Sequence, residues 1–155
     1  MAEGSLTRHL TAAADGDFRV ERLRQAWGRP TLAEAQLLGC DPSQWALIRE
    51  VILWGRGEPW VYARSVLPLS ALRGDLRRLR RLRNSSLGAL LFDYPALTRT
   101  PFELARVEPT SDGPLTSPDP LWGRRSRFAI GERSLIVGEI FLAAFLRSPS
   151  LLQHP

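Results

Sequence analysis

Residues 121–145 read LWGRRSRFAIGERSLIVGEIFLAAF, and the fold follows from how this stretch is divided. Two runs of strand-like composition, 126–130 and 134–142, flank Gly131-Glu132-Arg133, a short glycine-containing connection of the kind that closes a β-hairpin. In the second run, side chains two apart share a face, so Leu135, Val137, Glu139 and Phe141 point one way and Ile136, Gly138, Ile140 and Leu142 the other. Glu139 is therefore a carboxylate among apolar neighbours whichever face is buried. An unpaired buried carboxylate costs several kcal/mol or shifts its pKa until it is neutral, so Glu139 either has a designated partner or is held there for a task.

Working outward, a second hairpin lies upstream. Residues 45–54 and 59–67 are strong strand runs joined by Gly55-Arg56-Gly57-Glu58. Arg49 alternates here with Leu47, Val51 and Leu53, which plants a guanidinium in an otherwise apolar strand. Arg64 shares a face with Trp60, Tyr62 and Val66. Each arginine alone is best explained by a structural pairing with a core acid such as Glu50, Glu58 or Glu139. Two arginines and a glutamate, all strand-borne and apolar-flanked, point instead to a polar pocket for an anionic ligand, because buried charges that merely offset one another rarely stabilise a fold.

The remaining elements complete an α+β pattern. Ser5 can cap a helix over 6–14 that Asp15-Gly16 ends, and 18–27 reads as an imperfectly alternating strand. Thr31-Leu32-Ala33-Glu34 has the form of a capping box, which starts a short helix stopping at Gly39. Leu72, Leu76, Leu79 and Leu82 form the apolar stripe of an amphipathic helix over 72–83. Ser85-Ser86 offers a cap for a helix over 87–92, and a strand over 102–107 follows two prolines. Residues 109–120 are a flexible loop by composition, and 147–155 a frayed tail. A short helix at Ser5-Leu6 precedes three strands, and another at Ser86-Leu87 precedes three more. The expected architecture is one α+β domain over 1–155, with a six-stranded, largely antiparallel sheet and helices packed over one face.

Composition narrows the function classes. The 155 residues are 44% hydrophobic, enough for one core without staples. Cys40 cannot form an internal bridge, and His9 and His154 are far apart, so zinc and disulfide-redox chemistry drop out. No window of 18 apolar residues and no charged-then-apolar leader occurs, so a soluble cytoplasmic protein is expected. All 21 basic residues are arginines, and the net charge of +5 resides in 72–83, where six arginines meet the single acid Asp75. That is a solvated helix face rather than a nucleic-acid patch, since no groove-reading motif accompanies it.

With these residues laid out, the chain resembles the chorismate lyase family, also called chorismate pyruvate-lyase or 4-hydroxybenzoate synthetase. The resemblance is carried by Arg49-Glu50-Val51-Ile52-Leu53, Gly57-Glu58-Pro59-Trp60, Ala63-Arg64-Ser65-Val66 and Pro68. It continues through Leu87-Gly88, Leu91-Phe92, Leu97-Thr98-Arg99, the distinctive LWGRRSR over 121–127, and Glu139-Ile140-Phe141-Leu142. It implies a cofactor-independent lyase that removes pyruvate from chorismate to give 4-hydroxybenzoate for ubiquinone, on a duplicated unit of two helices and three strands. It further implies that Arg49 holds the ring carboxylate, with the backbone N–H of Leu87 as second donor. Glu139 would face the other end of the ring, with the backbone at Leu6 beside it, both leucines standing at helix N-termini that favour anions. Arg64 is expected to meet the second carboxylate or to orient Glu139, and the arginines of LWGRRSR to be structural. The implied partners are the small-molecule substrate and product, with no nucleic acid, no membrane insertion and a monomeric state. Three residues precede the segment beginning at Gly4, where the family has some tens, so one wall of the pocket is expected to be thinner or the start to lie upstream. The alternative is a non-catalytic small-anion binding module, since the same fold serves as the effector-sensing domain of bacterial transcription regulators.

Overall fold

The structure, a computed structural model, describes residues 4–81, 87, 91 and 94–147. Helix α1 (Gly4–Ala13) begins a residue before the expected cap and ends as Asp15 and Gly16 take positive φ of 53° and 86°. Strand β1 (Phe18–Gly28) follows, and its imperfect alternation is a register shift between Arg22 and Arg24 that leaves Leu23 on the surface. Helix α2 (Leu32–Leu38) has the full capping box between Thr31 and Glu34 and stops at Gly39 in the left-handed conformation.

Strands β2 (Ala46–Gly55) and β3 (Glu58–Pro68) form the first hairpin. Arg56 and Gly57 both have positive φ, 52° and 77°, the backbone of a two-residue turn whose twist matches that of the strands. The rest of the sheet is β4 (Thr98–Arg99), β5 (Glu103–Val107), β6 (Leu121–Ile130) and β7 (Arg133–Phe141). All pairings are antiparallel, in the order β1-β2-β3-β7-β6-β4, with β5 also on β6. The six expected strands are all present. The two-residue β4 adds a seventh, and β6 starts five residues earlier than its composition suggested, because the arginines of LWGRRSR lie along the strand.

Register assigns the two faces. Arg49 pairs with Ser65, Ser65 with Val137 and Val137 with Ser126, so these four share a face and form a row across four strands. The adjacent row on that face is Val51, Ala63, Glu139 and Arg124. Two apolar clusters bracket these rows. At one end Leu47, Leu67, Phe128 and Leu135 gather with Leu72, Leu76, Leu79, Leu87 and Leu91. At the other, Leu10 and Ala14 of α1 and Ala144 of the terminal helical turn (Ala143–Leu146) pack with Leu53 and Val61.

The arginine-rich segment differs from its expectation. It forms two 3-10 helices, Leu69–Leu72 and Gly74–Arg81, rather than one α-helix. Leu76 and Leu79 are three apart, and a 3-10 helix with three residues per turn stacks such positions on one edge. Both are fully buried, so the stripe was read correctly and its pitch was not. Leu82, Arg83, the Ser85-Ser86 cap, most of the 87–92 helix and the 148–155 tail lie outside the described residues.

The opposite face is covered by α2, whose Leu38 packs on Ile48, Val66 and Ile136. Beside it Leu115, from the 109–120 loop, lies against a cluster of Ile52, Leu121 and Leu142. Thr110 N–H donates to the Leu115 carbonyl at 3.2 Å and Thr116 N–H to that of Gly113 at 3.3 Å, which ties the loop internally. Helices therefore lie over the face carrying Arg49 and Glu139, and the one short helix α2 departs from that arrangement. No helix among the described residues is long and apolar enough to cross a membrane.

Candidate active site

Arg49 is 2% exposed and Glu139 6%, on one face of the sheet. They are separated by two strand spacings and one step along the strands, roughly 12 Å between Cα positions. Arg49 Nη1 donates to Gln25 Oε1 at 3.0 Å, and Gln25 Nε2 in turn donates to the Arg80 carbonyl at 3.0 Å. The amide thus bridges the guanidinium to the arginine-rich segment. Burial, reinforced by the nearby positive charge of Arg22, pushes the Arg49 guanidinium down to about 10. It remains fully charged near neutrality.

Glu139 Oε1 accepts from Arg124 Nε at 2.8 Å. Arg124 packs against two aromatic rings, its guanidinium lying 4.0 Å from the Phe102 centroid and 5.5 Å from that of Phe141. The carboxylate is therefore oriented by a cation whose own position is set by packing. Between the Arg49 and Glu139 positions the floor is small: Ala63, Ser65 and Val137, all buried.

Arg64 does not join this group. Its position in β3, between Ala63 and Ser65, turns it to the other face. There its Nε and Nη2 grip Glu34 at 2.9 and 3.1 Å, and its Nη1 donates to Glu50 at 3.2 Å. Tyr62 adds a 2.8 Å hydrogen bond to the same Glu50 oxygen. The structural pairing weighed from the sequence, with Glu50, is what Arg64 has, extended by the capping glutamate of α2. For Glu34, burial is the largest influence and raises the pKa, but hydrogen bonds from Arg64 and Thr31 together hold it below the ordinary value. A depression of about 430 Å³ is lined by Glu34, Tyr62, Arg64 and Arg125 on this face and, beside Gly138, also by Arg124 and Glu139. Its charges are already spent on one another, with Arg125 facing Glu103 at 3.5 Å.

Leu6 lies in the first turn of α1 and packs against the cluster at the Leu53 end of the face. Leu87 is helical and buried in the cluster at the other end, nearer Arg49. Two residues were not singled out from the sequence: Gln25, whose amide carries no distinguishing pattern, and Arg124, assigned a structural role. The signal for Arg124 is the hairpin turn. With Gly131-Glu132 as a two-residue turn, Ile130 pairs with Arg133 and Arg124 falls opposite Glu139. A three-residue connection puts Arg125 there instead. Gly131 has φ of 60°, which suits the first central position of the shorter turn. Among the described residues no group of three or more His, Cys, Asp or Glu could hold a metal ion.

An antiparallel sheet of this order, with helices over one face, is the effector-domain fold. The effector domain of PhnF from Mycobacterium smegmatis superposes with a TM-score of 0.67 at 15% identity, over 93% of this chain and 91% of that one. A GntR-family transcriptional regulator from Bacillus cereus gives 0.64 at 12% identity, over 83% and 93%. At such identities the likeness is one of fold alone. Sequence goes further: the chorismate lyase family matches residues 1–149, and the chain belongs to that family. A probable chorismate pyruvate-lyase of Pseudomonas aeruginosa is 46% identical over 140 residues, spanning 90% of this chain and 79% of the relative. One from Methylococcus capsulatus is 44% identical over 151 residues, spanning 94% and 93%.

Proposed function

We propose that the chain is a chorismate pyruvate-lyase, eliminating pyruvate from chorismate to leave 4-hydroxybenzoate, without metal or organic cofactor. The observation that carries this reading is the placement of a buried guanidinium and a buried carboxylate on one face, two strands apart, with small side chains between them. Charges placed in this way match a ring that carries a carboxylate at one end and oxygens at the other.

Arg49 clamps the ring carboxylate, a bidentate match of planar fork to planar anion, with Leu87 N–H as second donor. Gln25 holds the fork in place. Glu139, oriented by Arg124, faces the other end of the ring beside Leu6. There the ring carbon that bears the hydroxyl loses its proton, and the neighbouring carbon–oxygen bond to the enolpyruvyl group breaks. The bond electrons from the lost proton complete the aromatic ring, and the released enolpyruvate takes a proton on carbon to become pyruvate. Aromatisation supplies the driving force, so the protein's part is to orient the ether, exclude water and handle one proton. Arg64 has no part in this scheme, since its charge is committed to Glu34 and Glu50.

We place the activity in the cytoplasm, in the supply of the ubiquinone ring precursor, with the protein acting as a single-domain monomer. The test is direct: purified protein with chorismate and a chelator, followed for pyruvate and 4-hydroxybenzoate in equal amounts. Formation of a different hydroxybenzoate, or a strict metal requirement, would contradict it. The effector-module reading predicts binding of 4-hydroxybenzoate with no pyruvate release.

A further inference from the structure

Three buried side-chain atoms among the described residues have no hydrogen-bond partner: Gln44 Oε1, Trp60 Nε1 and Ser126 Oγ. Ser126 is the one that falls in the row with Arg49, Ser65 and Val137, and it is 1% exposed. A buried hydroxyl with no partner is destabilising, and an alanine would fill nearly the same space without that cost. Solvent does not reach the hydroxyl, and the register puts it on the face that Arg49 and Glu139 occupy, where a bound ligand can meet it.

Position indicates which part of a ligand meets it. Ser126 lies on β6, one strand beyond Glu139 as counted from Arg49, and two residues along from Arg124 on the same face. A ring whose carboxylate is held by Arg49 spans the floor as far as β7. Whatever the ring carries beyond that point, at the Glu139 end, extends over β6. On the lyase reading, on which this inference rests, that part is the enolpyruvyl ether, the group that leaves.

We infer that Ser126 is a substrate-positioning residue whose hydroxyl donates a hydrogen bond to an oxygen of the departing enolpyruvyl group. The bond holds the ether in the orientation for elimination and meets the negative charge that grows on the leaving oxygen as the carbon–oxygen bond breaks. The product ring has lost that group, so Ser126 discriminates substrate from product. The other two unpartnered atoms, Gln44 Oε1 and Trp60 Nε1, lie outside this row.

The experiment compares Ser126→Ala with the wild type in three measurements: thermal midpoint, kcat/KM for chorismate, and Kd for 4-hydroxybenzoate. The expected result is an unchanged or raised midpoint, a fall of roughly tenfold in kcat/KM and a product Kd within about twofold of wild type. A parallel loss of product affinity would make Ser126 a general packing residue, and an unchanged kcat/KM would remove it from the site; either overturns the inference. If the wild type itself releases no pyruvate, the lyase reading fails and the inference with it. Wild-type turnover beside an unaffected variant overturns the assignment of Ser126 alone.

Discussion

Gln25 accepts a hydrogen bond from Arg49 at 3.0 Å while donating one to the backbone carbonyl of Arg80 at the same distance, so one amide ties the candidate ligand clamp to the arginine-rich segment. The amide is neutral: it orients the guanidinium and brings no charge of its own. Replacing it by a carboxylate, Gln25→Glu, sets an internal anion in competition with the ligand and removes the donor to Arg80. Calorimetry is expected to show 4-hydroxybenzoate affinity weakened by roughly 1.5–3 kcal/mol, the scale of a charged hydrogen bond. Wild-type affinity would mean that the ligand carboxylate lies elsewhere.

Arg49→Lys keeps a positive charge but loses the planar fork. Binding of 4-hydroxybenzoate should weaken by roughly 1.5–3 kcal/mol, with the thermal midpoint little changed, since the lysine stem replaces much of the buried arginine's aliphatic part. Unchanged affinity in the same calorimetric measurement would return Arg49 to a purely structural role.

Arg64 makes the opposite prediction. Its removal in Arg64→Met strips the buried Glu34 of its counter-charge and should lower stability by about 2–3 kcal/mol, less than for a fully sealed pair because the guanidinium is partly exposed. Affinity for 4-hydroxybenzoate should be retained. The pH dependence carries a sign. Glu34 has a folded pKa below its ordinary value near 4.5, so its contribution is present above that value and is lost as pH falls from there through the depressed pKa. Chemical denaturation at a series of pH values should show the wild type losing more stability than Arg64→Met below about pH 4.5. Identical pH profiles would dissociate Glu34 from the pair.

The sequence made the fold legible wherever periodicity was unambiguous. Two-residue alternation identified both hairpins, and the Thr31–Glu34 capping box gave α2 its start. Legibility failed where an outcome depended on one residue of register or pitch. Counting Arg133 into the turn rather than the strand shifts β6 by one and exchanges Arg124 for Arg125 opposite Glu139, because a single-residue slip moves every side chain to the other face. The stripe of Leu76 and Leu79 is compatible with either helix type, and only packing selects the tighter one. Arg49 and Arg64 looked alike as charges on apolar strands. What separates them is parity along adjacent strands and the partner brought by α2, a contact thirty residues distant in the chain. Gln25 was silent because its role is defined by what the fold brings to it, Arg49 across the β1–β2 register and the Arg80 carbonyl.

On the lyase reading, Glu139 handles the proton at the reacting end of the ring. Glu139→Gln preserves shape and a hydrogen-bonding oxygen for Arg124, which keeps its contacts with Phe102 and Phe141. The decisive measurement is the rate of pyruvate release from chorismate by Glu139→Gln beside the wild type, with 4-hydroxybenzoate binding measured on both. The account predicts a fall in turnover of roughly 10² to 10⁴, the usual share of acid–base catalysis, with product binding through Arg49 retained. Turnover near the wild-type rate would contradict it, leaving Glu139 to shape the pocket and orientation alone to carry the elimination.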